Sequence, residues 1–331
     1  MKRFVDLADL TRDEVLALLE LARRLERQPE PHALAGKLLG LVFFNPSLRT
    51  LASFQAAMAR LGGHSLVVNP GQGSWQMESR AGAVMDGAAA EHVREGIPAL
   101  ASYCDALGIR VFAEGRDLAA DLADTAFNAM ASLTDKPLVN LESAVNHPCQ
   151  ALADWKTLDD LAVPRAGRFV LSWAYHPRAL PLAVPAAVLH MAALRGMEVI
   201  VLRPEGFALP PVLMERARRA AALSGGSVRE TSERAEALVR ADVLYVKEWG
   251  ATERYGEAAL DAQLRRTLTG WCIDNDWFAA APDCRVMHCL PVRRNSAIAD
   301  EVLDSSRSVV QREAYNRLPV QMAVLHQLLR S

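Results

Sequence analysis

Blocks of apolar and polar residues exchange periodicity along this chain, and the exchange predicts its elements. Thr11-Arg12-Asp13-Glu14 has the form of a capping box, and Val15, Leu18, Leu19, Ala22 and Leu25 behind it share one helical face. Leu38 to Phe44 is an unbroken apolar run that reads as a buried strand, and 51–61 follow with helical spacing. Further strands are predicted at 64–69, 105–112 and 137–141, with helices at 90–103 and 118–132 and from His147 to about Leu161. A Val163-Pro164-Arg165-Ala166-Gly167 linker precedes a second set. In that set strands fall at 168–173, 198–203, 242–247 and 285–289, and helices at 183–195, 210–224 and 312–330. Strands alternating with helices predict an α/β protein of two doubly wound domains, each with a central parallel sheet flanked by helices. The break near 142–167 divides them: residues 1–142 with the C-terminal helix 312–331 form one domain, and 143–311 the other.

Composition narrows the functional classes. The chain has 331 residues, 51% hydrophobic and 23% charged, with a net charge of -2. That balance supplies no field to hold nucleic acid or an anionic membrane. Cys104, Cys149, Cys272, Cys284 and Cys289 are an odd, dispersed set with no Cys-x-x-Cys pair, which argues against disulfides and zinc and for a reducing cytoplasm. The first residues lack the apolar core of a signal peptide, and no run approaches the roughly 20 apolar residues of a membrane helix. A soluble, cytoplasmic protein is expected.

In open parallel sheets, ligands bind at the carboxyl ends of strands, beside helix N-termini. Polar clusters stand at those ends here. After the first predicted strand comes Asn45-Pro46-Ser47-Leu48-Arg49-Thr50, two hydroxyls and a guanidinium at the mouth of a helix. Such a mouth suits a phosphate, because its N–H groups are unpaired and Arg matches phosphate oxygens bidentately; a simple cap with a solvated Arg is the plainer alternative. His147-Pro148-Cys149-Gln150 opens another helix, with a ring and a carboxamide able to bond a carbonyl and an amide. The segment from His288 through Cys289, Leu290, Pro291 and Val292 to Arg293, Arg294 and Asn295 follows a third strand and points to an anionic substrate rather than a metal. Arg110 within a buried strand, Trp75 in a polar loop, Lys247-Glu248-Trp249-Gly250 and Tyr175-His176-Pro177-Arg178 are further candidates.

In this order the clusters resemble the transcarbamylase family, the aspartate and ornithine carbamoyltransferases. Ser47-Leu48-Arg49-Thr50 matches its Ser-x-Arg-Thr phosphate loop, His147 to Gln150 its His-Pro-x-Gln, and His288 to Pro291 the His-Cys-Leu-Pro of the ornithine branch. Leu51 departs from the Arg that many members carry. The ornithine receptor segment Asp-x-x-x-Ser-Met-Gly is absent. Lys247 to Gly250, the Trp75 loop, Val84-Met85-Asp86-Gly87 and Pro291 to Asn295 look instead like the N-acylornithine branch.

The resemblance implies carbamoyl phosphate and an N-acylornithine as substrates, no cofactor and no metal, and a homotrimer in which Trp75 reaches a neighbouring subunit's site. Ser47, Leu48, Arg49, Thr50, Trp75, Arg110, His147, Gln150, Cys289, Leu290 and Arg317 would bind carbamoyl phosphate. Among these Arg110, His147, Thr50, Gln150 and Cys289 would act in catalysis. Ala90, Glu142, His176, Lys247 and Arg293 would face the acylornithine. Acetyl-specific members place a Glu shortly after the Met-Asp-Gly and a Lys after the Arg-Arg-Asn, where this chain has Ala90 and Ala297. A Glu at the acyl pocket would repel a succinyl carboxylate. N-succinyl-L-ornithine is therefore the expected acceptor, with N-acetylornithine and then ornithine behind it. An inactive binding or regulatory relative is the alternative from another class. A dinucleotide-binding oxidoreductase is set aside because no Gly-x-Gly-x-x-Gly follows the first strand.

Overall fold

In the computed structural model, which describes residues 1–330, the capping box forms as its sequence requires. Thr11 accepts from the Glu14 N–H, and the Glu14 carboxylate receives the Thr11 N–H at 2.7 Å, opening helix α1 (Arg12–Arg27). The strands that follow β1 (Arg3–Phe4) are β2 (Leu38–Phe43), β3 (His64–Val68), β4 (Met77–Glu78), β5 (Glu91–His92), β6 (Ala106–Arg110) and β7 (Leu138–Glu142). Between them run α2 (Leu48–Arg60), α3 (Val93–Tyr103), α4 (Leu118–Leu122) and α5 (Thr125–Ala131). The later half holds α6 (Pro148–Asp160), β8 (Arg168–Trp173), α7 (Ala183–Arg195), β9 (Glu198–Leu202), α8 (Pro211–Ser224) and β10 (Ser227–Thr231). It continues with α9 (Arg234–Leu238), β11 (Val243–Lys247), α10 (Ala258–Arg266), β12 (Arg285–Met287), α11 (Asp300–Leu303) and α12 (Val310–Leu329).

The chain forms two compact units. One comprises Met1–Glu114, Ala119–Cys149 and the residues from Arg317 onward; the other comprises Gly115–Leu118 and Gln150–Asn316. The divides fall inside α6 and α12, whereas the sequence suggested breaks at 142 and 312.

Each unit carries a parallel five-stranded sheet. In the first the order is β1-β7-β6-β2-β3, and its core gathers Val42, Ile97, Leu107, Ile109, Phe127 and Leu138. In the second the order is β10-β9-β8-β11-β12, over a core of Val170, Ile200, Leu244, Val246, Trp277 and Ile298. Both sheets therefore have a topological switch point, where successive crossovers leave in opposite directions and open a crevice at the strand ends. The first switch lies between β2 and β6, the second between β8 and β11. At Gly196, which closes α7 with φ +95°, any side chain would also meet the Ser224 carbonyl oxygen at 2.7 Å.

Several boundaries differ from expectation. The helix predicted at 118–132 is two pieces, because Asp124 takes a left-handed φ of 53° and turns its carboxylate onto the 143–146 turn. There it receives the Ser143 hydroxyl, the Ala144 N–H at 3.0 Å and the Asn146 amide at 3.2 Å. Asp124→Ala should cost about 2–4 kcal/mol by orphaning these buried donors, read as a lower urea midpoint at unchanged slope. The predicted 90–103 helix starts only at Val93, since residues 91–92 pair with β4. The strand predicted at 285–289 stops at Met287. β1, β10 and α10 were not foreseen. No helix among the described residues is long and apolar enough to cross a membrane.

Candidate active site

In the first unit the switch-point crevice is floored by the ends of β2 and β6. β2 stops at Phe43, Asn45-Pro46 turns the chain, and Ser47 caps α2 by accepting the Thr50 N–H at 3.2 Å. Asn45 ties the turn to the neighbouring strand end: its side-chain oxygen receives Phe112 N–H at 2.8 Å, and its carbonyl receives Arg110 Nε at 3.1 Å. The N–H groups at the first turn of α2 face the crevice mouth with the positive end of the helix dipole.

Positive charge gathers here. Arg110, buried at the end of β6, pairs with Glu142 at the end of β7. Buried Arg317, on α12, donates through Nη2 to Thr50 Oγ1 at 2.7 Å, while its Nε has no hydrogen-bond partner among the described residues. Arg49 acts electrostatically on both Arg317 and His147. Arg49, Arg110 and Arg317 thus act on the same buried His147, a concentration of positive charge suited to an anion. Because Thr50 Oγ1 already accepts from Arg317, its own proton remains to be donated.

His147 lies buried beside this cluster, with Nε2 3.4 Å from Glu142 Oε2 and with Nδ1 lacking a partner among the described residues. Burial, then the charges of Arg317, Arg110 and Arg49, holds its pKa well below 6.5, so the ring is neutral. Next to it, burial pushes the Cys149 thiol up to about 12, which makes it a packing group. Ser47, Leu48, Arg49, Thr50, Arg110, His147 and Arg317 therefore share one region, as the sequence suggested. Glu142, expected among the acylornithine residues, also belongs to it.

Trp75 and Ala90 stand apart, on the segment from β3 to α3. They line an open cavity of about 570 Å³ with Met85, Glu91, His92 and Glu95. Trp75 is 59% exposed and donates its indole N–H to Glu91 at 2.6 Å. Ala90 is exposed, and its N–H bonds the Gln76 carbonyl.

In the second unit the remaining candidates lie at or just past the ends of β8, β11 and β12. Lys247 donates to Glu248 at 2.9 Å, and His288 Nε2 lies 3.5 Å from the same Glu248 oxygen. Burial would raise the Glu248 carboxyl, but Lys247 and His288 outweigh it and hold the group well below the usual range. The Leu290 N–H donates to His288 Nδ1 at 2.8 Å, which places the ring proton on Nε2. His176 accepts from Arg293 Nε at 2.9 Å and donates from Nδ1 to the Arg178 carbonyl at 2.8 Å, so Arg293 is held at this ring. Cys289 and Leu290 occupy the following loop, half-buried, with Leu290 at φ 54°. Ala297 is fully enclosed in the apolar core of this unit.

Sequence reasoning named Gln150 but missed three residues tied to it: Asp154 and Glu313, which its carboxamide bonds from the first turn of α6, and Tyr245, which bonds Glu313. The Gln150–Asp154 spacing was visible as a one-turn helical pair; Glu313 and Tyr245 gave no local signal.

Known proteins resemble this chain over nearly its whole length. The family described as "Aspartate/ornithine carbamoyltransferase, carbamoyl-P binding domain" matches residues 2–160, and its "Asp/Orn binding domain" matches 184–328. N-acetylornithine carbamoyltransferase of Xanthomonas campestris is 36% identical over 333 residues, covering 99% of this chain and 98% of the relative. N-succinylornithine carbamoyltransferase of Bacteroides fragilis is 34% identical over 295 residues, with 88% and 87% covered. A crystal structure of N-acetyl-L-ornithine transcarbamylase, in a glutamate-to-alanine variant with carbamyl phosphate and N-succinyl-L-norvaline, superposes with a TM-score of 0.94 at 36% identity. That likeness covers 99% of this chain and all of the other. With both domain families matched in order and relatives aligned end to end, the chain belongs to the aspartate/ornithine carbamoyltransferase family, as an enzyme of its N-acylornithine branch.

Proposed function

We propose that this enzyme transfers the carbamoyl group of carbamoyl phosphate to the δ-amine of an N-acylornithine, releasing phosphate, in arginine biosynthesis. The observation that carries this reading is buried Arg317, which reaches Thr50 Oγ1 at the N-terminus of α2 and keeps an Nε without a hydrogen-bond partner among the described residues. A phosphate dianion at that helix mouth would accept hydrogen bonds from Ser47, the Leu48 N–H and the guanidiniums. In a homotrimer, Trp75 of a neighbouring subunit would add to this grip.

The carbamoyl oxygen would lie against Thr50 Oγ1–H, Arg110 and the neutral His147, donors placed for the charge that grows on that oxygen. Gln150, with carbonyls near Cys289 and Leu290, would take the amide protons. Lys247 and Arg293 suit the acceptor's α-carboxylate, with His176 orienting Arg293 and Glu142 drawing the amine. The δ-nitrogen lone pair forms the new C–N bond as the C–O bond to phosphate breaks, and the amine proton leaves to phosphate or solvent. Positioning and electrostatics supply the acceleration, without a covalent intermediate. A phosphate-release assay tests the reading: turnover should require an N-acylated acceptor, and equal turnover with plain ornithine would refute it.

For the acyl group the proposal is succinyl, resting on Ala90, which leaves room where a Glu would repel. The binding of N-succinyl-L-norvaline by the glutamate-to-alanine relative supports it. Ala297 lends less support than its sequence position suggested, because its side chain is enclosed in apolar core. A neutral acetyl group is the second reading, favoured by Glu91 and Glu95 beside Ala90 in the same cavity. Ala90→Glu is expected to lower kcat/KM for succinylornithine relative to acetylornithine by about tenfold, the effect of one added like charge. An unchanged ratio in side-by-side assays removes Ala90 as the determinant.

A further inference from the structure

Two fully buried carboxyls of the second unit, Asp154 and Glu313, have no part in the mechanism above. Gln150 donates through Nε2 to Asp154 Oδ1 at 2.8 Å and to Glu313 Oε1 at 3.1 Å. A carboxamide has two N–H donors, and here both end on carboxyl oxygens, so the flip of the side chain is fixed. What remains is Gln150 Oε1, buried and with no hydrogen-bond partner among the described residues. Glu313 also receives the Tyr245 hydroxyl at 3.2 Å and, on its other oxygen, the His288 N–H at 2.8 Å. One carboxyl thereby ties the first turn of α6 to the loop after β12.

We propose that Glu313, acting with Asp154, is a positioning residue that holds Gln150 as a hydrogen-bond acceptor, so that the site demands an N–H from its ligand. It would then select carbamoyl phosphate over acetyl phosphate, which has a methyl group in place of the amide nitrogen. The inference rests on the carbamoyl phosphate reading given above. Were Gln150 to rotate, its NH₂ would face the ligand's NH₂ and the discrimination would be lost. Burial and the neighbouring Asp154 push the Glu313 carboxyl well up, so the two groups hold a proton rather than two bare charges.

The test is the ratio of affinities for carbamoyl phosphate and acetyl phosphate, measured by calorimetry on the full-length enzyme. Wild type should prefer carbamoyl phosphate. Glu313→Met, of similar length but without an acceptor, should narrow the preference about tenfold, whereas Glu313→Gln should stay within about threefold of wild type. A merely structural role would weaken both ligands alike and leave the ratio intact, and an intact ratio in Glu313→Met overturns the proposal. If that variant does not fold, Asp154→Leu removes the other acceptor and carries the same expectation. A wild type with no preference would instead refute the carbamoyl phosphate reading itself, and the inference with it.

Discussion

Arg49→Ala is expected to weaken carbamoyl phosphate binding by about two to three orders of magnitude while the protein stays folded. The guanidinium sits on the first turn of α2, half-exposed, so its removal leaves no core cavity. What it removes is a bidentate charge-assisted contact in a partly desolvated site, where losing one member of such a pair costs about 2–5 kcal/mol. Arg110 and Arg317 remain, so affinity falls rather than vanishing. Ligand binding stabilises the folded state by mass action, and the thermal shift given by carbamoyl phosphate in wild type should disappear in the variant at the same concentration. Unchanged affinity by calorimetry would remove the phosphate-loop assignment.

His147→Ala is expected to lower kcat by about 10²–10³, the usual effect of deleting one preorganised donor to a developing oxyanion, with a smaller change in KM for carbamoyl phosphate. The ring's depressed pKa gives two further readouts. Neutral throughout the working range, it should place no inflection near 6.5 in the kcat profile. In the unfolded chain the ring takes up a proton below about 6.5, whereas in the folded protein it does not, so protons favour unfolding there. Stability contributed by this group is present above 6.5 and is lost as pH falls below it. The variant should lose less stability than wild type between pH 7.5 and pH 5, measured as urea midpoints. A kcat within threefold of wild type would remove His147 from the oxyanion site.

How much of this was visible in the chain depended on range. The phosphate mouth was legible because Ser47, Arg49 and Thr50 lie within one helical turn after a strand, and local rules govern that turn. The strand order of both sheets was not, yet it decides that these ends lie at switch points. β10 escaped notice because an edge strand reading Ser-Val-Arg-Glu-Thr needs little apolar surface. The break at Asp124 hid for another reason: three donors on the 143–146 turn, distant in sequence, hold the left-handed residue in place. Glu313 was silent too, since its partners Gln150 and Tyr245 come from α6 and β11. Ala297 shows the opposite failure. It was prominent in the sequence as a missing lysine, and the fold encloses it in apolar core.

The most direct test of the account follows the carbamoyl carbon. Enzyme would be incubated with carbamoyl phosphate labelled at that carbon and, separately, with N-succinyl-L-ornithine, N-acetyl-L-ornithine and L-ornithine. The account predicts label on the δ-nitrogen of an N-acylated acceptor, with one phosphate released per label transferred and little transfer to ornithine. Label that stays in carbamoyl phosphate with every acceptor, or that moves to ornithine as readily as to the acylated forms, would contradict it.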